Sequence, residues 1–104
     1  MAHPLRSQVE AKVKASPVVI FMKGTPDFPQ CGFSHKAVQV LKAAGVAQLD
    51  SFDVLSDDPM WDALEDFTQW QTVPQIFING KFVGGCDIVT EMYERGELQK
   101  LLKS

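Results

Sequence analysis

The sequence predicts an α/β fold: a four-stranded mixed sheet with helices on both faces. Three observations predict it. Apolar, β-branched runs alternate with helix-periodic segments in the order α-β-α-β-α-β-β-α-α. A helical pattern separates the first two strand-like runs, which calls for a parallel crossover. Asn79-Gly80 then joins two further apolar runs, the strongest short signal for an antiparallel hairpin.

Each element has its own justification. Leu5, Val9 and Val13 fall four apart, giving a short amphipathic helix from about Leu5 to Ala15 that Ser16-Pro17 ends. Residues 1–4 carry no pattern and are expected to be disordered. Val18-Val19-Ile20-Phe21-Met22 is an unbroken apolar run, as in a strand buried on both faces. From Ser34 onward Ala37, Val38, Leu41 and Ala44 share a helical face, and Gly45 stops that helix. Ser51-Phe52-Asp53-Val54-Leu55 alternates as a second strand. Asp57-Asp58-Pro59 has the acidic cap and first-turn proline of a helix start. Met60, Leu64 and Phe67 line the inner face of that helix, which runs to about Trp70. Thr72-Val73-Pro74 leads into a third strand, Gln75–Ile78, and Lys81-Phe82-Val83 is the return strand before Gly84-Gly85. Asp87 reads as the N-cap of a helix carrying Ile88, Val89, Met92 and Tyr93. Gly96 ends it before a final short helix around Leu98, Leu101 and Leu102.

The chain of 104 residues makes one domain, 1–104, large enough for a core without disulfide staples. Its 45% hydrophobic and 22% charged residues are those of a soluble globular protein. A net charge of −3 with no Lys/Arg run gives no electrostatic footprint for nucleic acid. No apolar run is long enough to span a membrane. The two cysteines have unlike surroundings and form no disulfide framework, which suits a reducing intracellular compartment. Met1-Ala2-His3-Pro4 is not a signal peptide, and no presequence is visible.

The chemistry centres on Lys23-Gly24-Thr25-Pro26-Asp27-Phe28-Pro29-Gln30-Cys31-Gly32-Phe33-Ser34. A lysine closes a strand, a Pro-rich loop follows, and a lone thiol stands just before a helix. Helix N-terminal amides and a nearby cation favour the thiolate, the nucleophilic and metal-binding species. Cys31 is therefore the leading candidate for a functional thiol, against the alternative of a structural core cysteine. With Ser34 three residues on, no neighbouring thiol resolves a mixed disulfide at Cys31. Other residues have structural alternatives too: Cys86 as a buried core thiol, Asp87 as a helix cap, Lys23 as a solvated strand end and Gly84-Gly85 as a turn. His35 is expected to face solvent, and Trp61 and Trp70 read as packing residues.

Cys31-Gly32-Phe33-Ser34, Lys23 eight residues before it, Thr72-Val73-Pro74 and Gly84-Gly85-Cys86-Asp87 stand in order. With these four motifs the chain closely resembles the monothiol glutaredoxins of the CGFS class, from Val18 through Leu102. The resemblance implies a thioredoxin-like fold, with Cys31 as nucleophile and iron ligand and Lys23 as a contact for glutathione near the thiol. It implies that Val73 offers its backbone to glutathione before a cis bond to Pro74. Cys86 and Asp87 would hold the γ-glutamyl end, and Gly84 and Gly85 would let the backbone approach closely. It also implies a 2Fe–2S cluster bridging a homodimer. Such a cluster takes four thiolates, and two chains with two glutathiones supply them. Transfer to iron–sulfur recipient proteins would follow, because two of the ligands are exchangeable. The loop Thr25–Pro29 accompanies cluster binding and poor reductase activity in the family, and the matrix of the mitochondrion is favoured over the cytosol. The competing readings are a glutathione-dependent thiol–disulfide oxidoreductase acting through Cys31, and a redox module in which Cys31 and Cys86 pair reversibly.

One departure stands out. The family usually carries a basic residue for the glycine carboxylate of glutathione where this chain has Trp61, among Asp57, Asp58, Asp62, Glu65 and Asp66. The family's Trp-Pro is likewise Trp70-Gln71 here. The hypothesis that follows is a thiol altered at that end, such as a glutathione amidated with a polyamine, whose cation would suit an aromatic face with acidic neighbours.

Overall fold

The computed structural model describes residues 3–103. In chain order the elements are α1 (Arg6–Lys14), β1 (Val18–Met22), α2 (Gly32–Ala43), β2 (Asp50–Asp53), a 3-10 turn (Val54–Ser56) and α3 (Asp58–Thr68). β3 (Gln75–Ile78), β4 (Lys81–Gly84), α4 (Cys86–Glu94) and α5 (Glu97–Lys103) complete the chain. The sheet order is β2-β1-β3-β4, parallel between β1 and β2 and antiparallel elsewhere. This is the predicted four-stranded mixed sheet of a thioredoxin-like fold.

Strand periodicity divides the core into two. Val18, Ile20 and Met22 point to one face, where Ala37, Val38 and Leu41 of α2, Val89 of α4 and Leu98 of α5 cover them. Val19 and Phe21 point to the other, against Val9 and Val13 of α1 and Met60, Ala63 and Leu64 of α3. Aromatic rings build this second face outward from Phe21. It meets Phe77 edge-on at 5.6 Å and Phe52 at 5.8 Å, and Phe77 in turn meets Phe82 at 5.3 Å. At the hairpin, Asn79 and Gly80 both adopt positive φ (53° and 80°), the geometry that matches a two-residue turn to strand twist.

Several boundaries differ from the sequence expectation, each for a local reason. The second strand ends at Asp53, because the Asp53 carboxylate accepts the Leu55 N–H at 2.9 Å and its carbonyl accepts the Ser56 hydroxyl at 2.7 Å, curling the chain into the 3-10 turn. α3 stops at Thr68 rather than near Trp70, since Gln69 takes a left-handed conformation and donates its N–H to Glu65. α2 begins at Gly32, with Cys31 itself as N-cap. α4 begins at Cys86 with Gly85 as N-cap, so Asp87 lies inside the first turn and is not the cap. Of residues 1–4, Met1 and Ala2 lie outside the described residues. His3, expected to be disordered, is instead engaged: its N–H donates to Asp66 at 3.2 Å, and its ring meets Asp62 and the Leu5 N–H, both at 3.0 Å.

Register decides what meets at the end of the sheet. Phe21 pairs with Gln75 and Ile76 with Gly84, so the exit of β1, the entry of β3 and the exit of β4 lie side by side. The N-termini of α2 and α4 open on the same end. There Asp53 ties two segments together: its Oδ1 accepts the N–H groups of Gly24 and of Leu55, each at 2.9 Å. Asp53→Ala leaves both amides without that acceptor and is expected to lower stability by about 1–3 kcal/mol. A urea titration checks it, with faster proteolysis in the Gly24–Gln30 loop as the local signature.

Candidate functional site

The site begins with a loop that doubles back. After β1, Gly24 turns at φ +89°, a conformation L side chains rarely adopt, and a Cβ there would lie 2.5 Å from the Phe28 carbonyl oxygen. Thr25 and Phe28 exchange backbone hydrogen bonds at 3.3 and 3.1 Å, and the Gln30 N–H returns to the Lys23 carbonyl at 2.8 Å. The loop therefore closes on itself and delivers Cys31 beside the strand it left. Phe28 at its tip is 75% exposed, and Phe33 just past the thiol is 63% exposed.

Cys31 has extended backbone (φ −152°, ψ 136°) and caps α2 with its carbonyl, which accepts the His35 N–H at 3.0 Å. Its side chain is half-buried. The thiol is acidified: the Ser34 N–H bonds the thiolate, and the Phe33 N–H, the Lys23 charge and the Ser34 hydroxyl add to it, while partial burial works the other way. Ser34 is fully buried, and its Oγ accepts the Lys23 N–H at 3.2 Å. With that lone pair engaged, the hydroxyl proton is left to donate to sulfur. The serine thus does more than remove a second thiol from the motif.

Around the thiol lies a cleft of about 440 Å³. Of the eight residues given a site role from the sequence, seven line it, Cys31, Lys23, Val73, Pro74, Gly85, Cys86 and Asp87, and Gly84 does not. The Val73–Pro74 bond is cis. Cys86 is buried, its sulfur 4.0 Å from the Thr90 hydroxyl, and both cysteines are free thiols. Asp87 is exposed at the start of α4. The two glycines have different tasks. Gly84, at φ +147°, makes room for Ile88, whose Cδ1 would meet a Cβ at 2.7 Å, and it does not line the cleft. Gly85 faces the Pro74 carbonyl oxygen, 3.2 Å from where a Cβ would be. His35 is exposed, as expected.

Trp61 and Trp70, read as packing residues although Trp61 also stands at the family's usual basic position, both form walls of the cleft. The Lys23 ammonium lies over the Trp61 ring, 5.7 Å from its centroid, and Trp70 packs edge-on against Phe82 at 5.4 Å. Sequence reasoning missed Gln75. It is fully buried, and its amide N–H₂ donates to the carbonyls of Trp70 (2.8 Å) and Thr72 (3.0 Å), holding the loop that carries Trp70, Gln71 and Thr72 into the cleft. A polar residue opening an otherwise apolar strand was the available signal, because a buried amide has to find partners.

Ser34→Ala removes a hydroxyl from the thiolate and an acceptor from the Lys23 amide. The thiol pKa is expected to rise, read from thiolate ultraviolet absorbance against pH, and stability to fall by about 1–3 kcal/mol. A thiol pKa depressed in the fold stabilises the protein fully above the unfolded value, and that contribution fades as pH falls through the folded one. The stability gap between the protein and Cys31→Ser should accordingly widen toward alkaline pH, and narrow when Ser34→Ala is added to both.

The family model described as Glutaredoxin matches residues 18–83. The chain is 49% identical over 100 residues to the mitochondrial monothiol glutaredoxin-5 of Schizosaccharomyces pombe, covering 94% of this chain and 68% of the relative, so it spans about two thirds of that protein's length. Among solved structures it superposes on reduced poplar apo GrxS14 with a TM-score of 0.82 at 43% identity, over 95% of this chain and 90% of the other. A buckwheat glutaredoxin–glutathione complex also matches, with a TM-score of 0.82 at 29% identity over 94% and 86% of the two chains.

Proposed function

The chain belongs to the glutaredoxin family, in its monothiol class, and on that premise we propose that it binds glutathione in the cleft and carries a 2Fe–2S cluster between two copies for delivery to iron–sulfur recipient proteins. The observation that carries the proposal is one accessible, acidified thiol per chain, Cys31, with Cys86 withheld by burial and no thiol at position 34. Of the two free cysteines Cys86 is buried and Cys31 only half-buried, so one chain offers a single accessible sulfur. A 2Fe–2S cluster takes four thiolates. Two Cys31 sulfurs and two glutathione sulfurs make four, which accounts for a homodimer formed only around its cargo. Two of the four ligands are small and exchangeable, so the cargo is releasable.

The chain's own residues have separable roles in this reading. Cys31 binds as the thiolate, helped by the N–H groups of Ser34 and Phe33. Val73 presents backbone to glutathione beside Pro74. Gly85 leaves room, and Cys86 and Asp87 receive the γ-glutamyl end, with the exposed Asp87 carboxylate facing its ammonium. The mitochondrial matrix is the compartment we propose; the name of the fission-yeast relative says mitochondrial for that protein. Rice has a chloroplastic relative at 44% identity over 99% of this chain, so the compartment does not follow from the family.

The acidified thiol favours a second reading, deglutathionylation. The Cys31 thiolate would attack the glutathione sulfur of a protein mixed disulfide, the old S–S bond breaks, and the protein leaves as a thiolate that takes up a proton. A further glutathione thiolate then attacks the sulfur bound to Cys31 and leaves with it as glutathione disulfide, restoring the Cys31 thiolate.

Anaerobic reconstitution with iron, sulfide and glutathione separates the two. The expected product is a brown dimer that needs glutathione and Cys31 and survives Cys86→Ser. A colourless monomer that still reduces glutathionylated substrates would move the function to the oxidoreductase.

The polyamine-amidated thiol is the alternative ligand. The ring that would receive its cation already carries the Lys23 ammonium, and like charges there oppose each other. Plain glutathione is accordingly expected to bind more tightly than its polyamine amide. Calorimetry with the two side by side checks this, and tighter binding of the amide would reverse the assignment.

A further inference from the structure

Lys23 is the one basic residue among those lining the cleft, and its surroundings are unusual for a lysine. Among the described residues no carboxylate lies within ion-pair distance of its ammonium. Asp87, the one acid lining the same cleft, forms no ion pair with it, and several acids of β2 and α3 are engaged elsewhere. Asp53 accepts from Gly24 and Leu55, Asp57 accepts the Met60 N–H at 3.1 Å, and Asp62 and Asp66 both bond His3. What the ammonium has instead is the face of Trp61, 5.7 Å away. Lys23 and Trp61 are both half-buried residues, and partial desolvation strengthens the attraction of a cation to a π face over that at an open surface.

A lysine stem is flexible, and fixing it on binding costs rotamer entropy. A carboxylate partner would fix it but neutralise it. An aromatic face fixes it and leaves its charge and its three donors for a ligand. We propose that Trp61 is a positioning residue: its ring holds the Lys23 ammonium in the cleft, uncommitted to any carboxylate, for the carboxylate of an anionic thiol. The inference rests on the reading of the cleft as a glutathione site. It also gives Trp61 a task at a position where the resemblance implies a basic residue. The cation comes from the strand end and its placement from the helix.

Calorimetry of reduced glutathione binding to the reduced protein tests this with Trp61→Leu, Trp61→Phe, Lys23→Met and the Lys23→Met/Trp61→Leu double variant, alongside glutathione diethyl ester. Trp61→Leu is expected to weaken glutathione about three- to tenfold, and Trp61→Phe, which keeps a π face, to restore most of that. In the Lys23→Met background the Leu substitution should add little, and the ester, lacking carboxylate charge, should bind the protein and Trp61→Leu alike. A general packing role would weaken acid and ester equally and persist without Lys23. Either that pattern, or unchanged or tighter glutathione binding by Trp61→Leu, overturns the positioning role while leaving the glutathione site standing. No binding by the unsubstituted protein overturns both.

Discussion

Two backbone amides at the end of β1 set the geometry of this molecule. A strand that leaves its sheet exposes N–H groups that must find acceptors, and here neither finds one in the ladder. The Lys23 amide goes to the Ser34 hydroxyl and the Gly24 amide to the Asp53 carboxylate. The first bond fixes the start of α2 to the central strand. The second fixes the end of β2 and the turn that feeds α3. Cys31, Lys23 and Trp61 therefore sit in register because the same strand end anchors all three supporting segments. The chemistry of the thiol is downstream of this constraint, since the hydroxyl that accepts from Lys23 is also the one left to donate to sulfur.

Much of this was legible in the sequence. The strand of five apolar residues, the Asn-Gly hairpin and the crossover helix carry their signals within a few residues, and Val18–Met22 and Gln75–Ile78 fall where predicted. Seven of the eight residues given a site role from the sequence line one cleft, and Gly84 lies outside it. What stayed hidden depends on side chains reaching across the fold. Asp53 looks like the middle of an alternating strand until its carboxylate is seen turning the chain. Asp87 looks like a cap until Gly85 is found in that place, with β4 continuing one residue further. Gln75 shows only that a polar residue opens an apolar strand, not which carbonyls it clamps, and Trp61 shows an aromatic face at an unusual position, not that the cation over it comes from Lys23. Gly84 and Gly85 are adjacent and alike in sequence, yet one answers to Ile88 and the other to Pro74.

The cleft also shows how a chain with net charge −3 keeps a lysine ammonium beside its thiol. Acidic residues crowd α3, but several are committed: Asp57 to its own helix N-terminus, Asp62 and Asp66 to His3. The remaining field at the thiol is set by close-range groups, two backbone N–H donors, one ammonium and the Ser34 hydroxyl. Short-range donors in a half-buried site outweigh a dispersed surface charge, which solvent and salt screen.

The two outermost strands have a consequence for how copies of this chain meet. β2 and β4 are each four residues long. The first carries Asp50 and Asp53 at its ends, with Asp50 held by Lys12 and Ser16, and the second opens on exposed Lys81. Short, charged outer strands are poor templates for strand-by-strand aggregation. Uncontrolled growth along the sheet is thereby disfavoured, while the most exposed of the large apolar side chains among the described residues, Phe28 and Phe33, flank the thiol. The apolar surface most open to a partner therefore lies beside the thiol and away from the sheet edges.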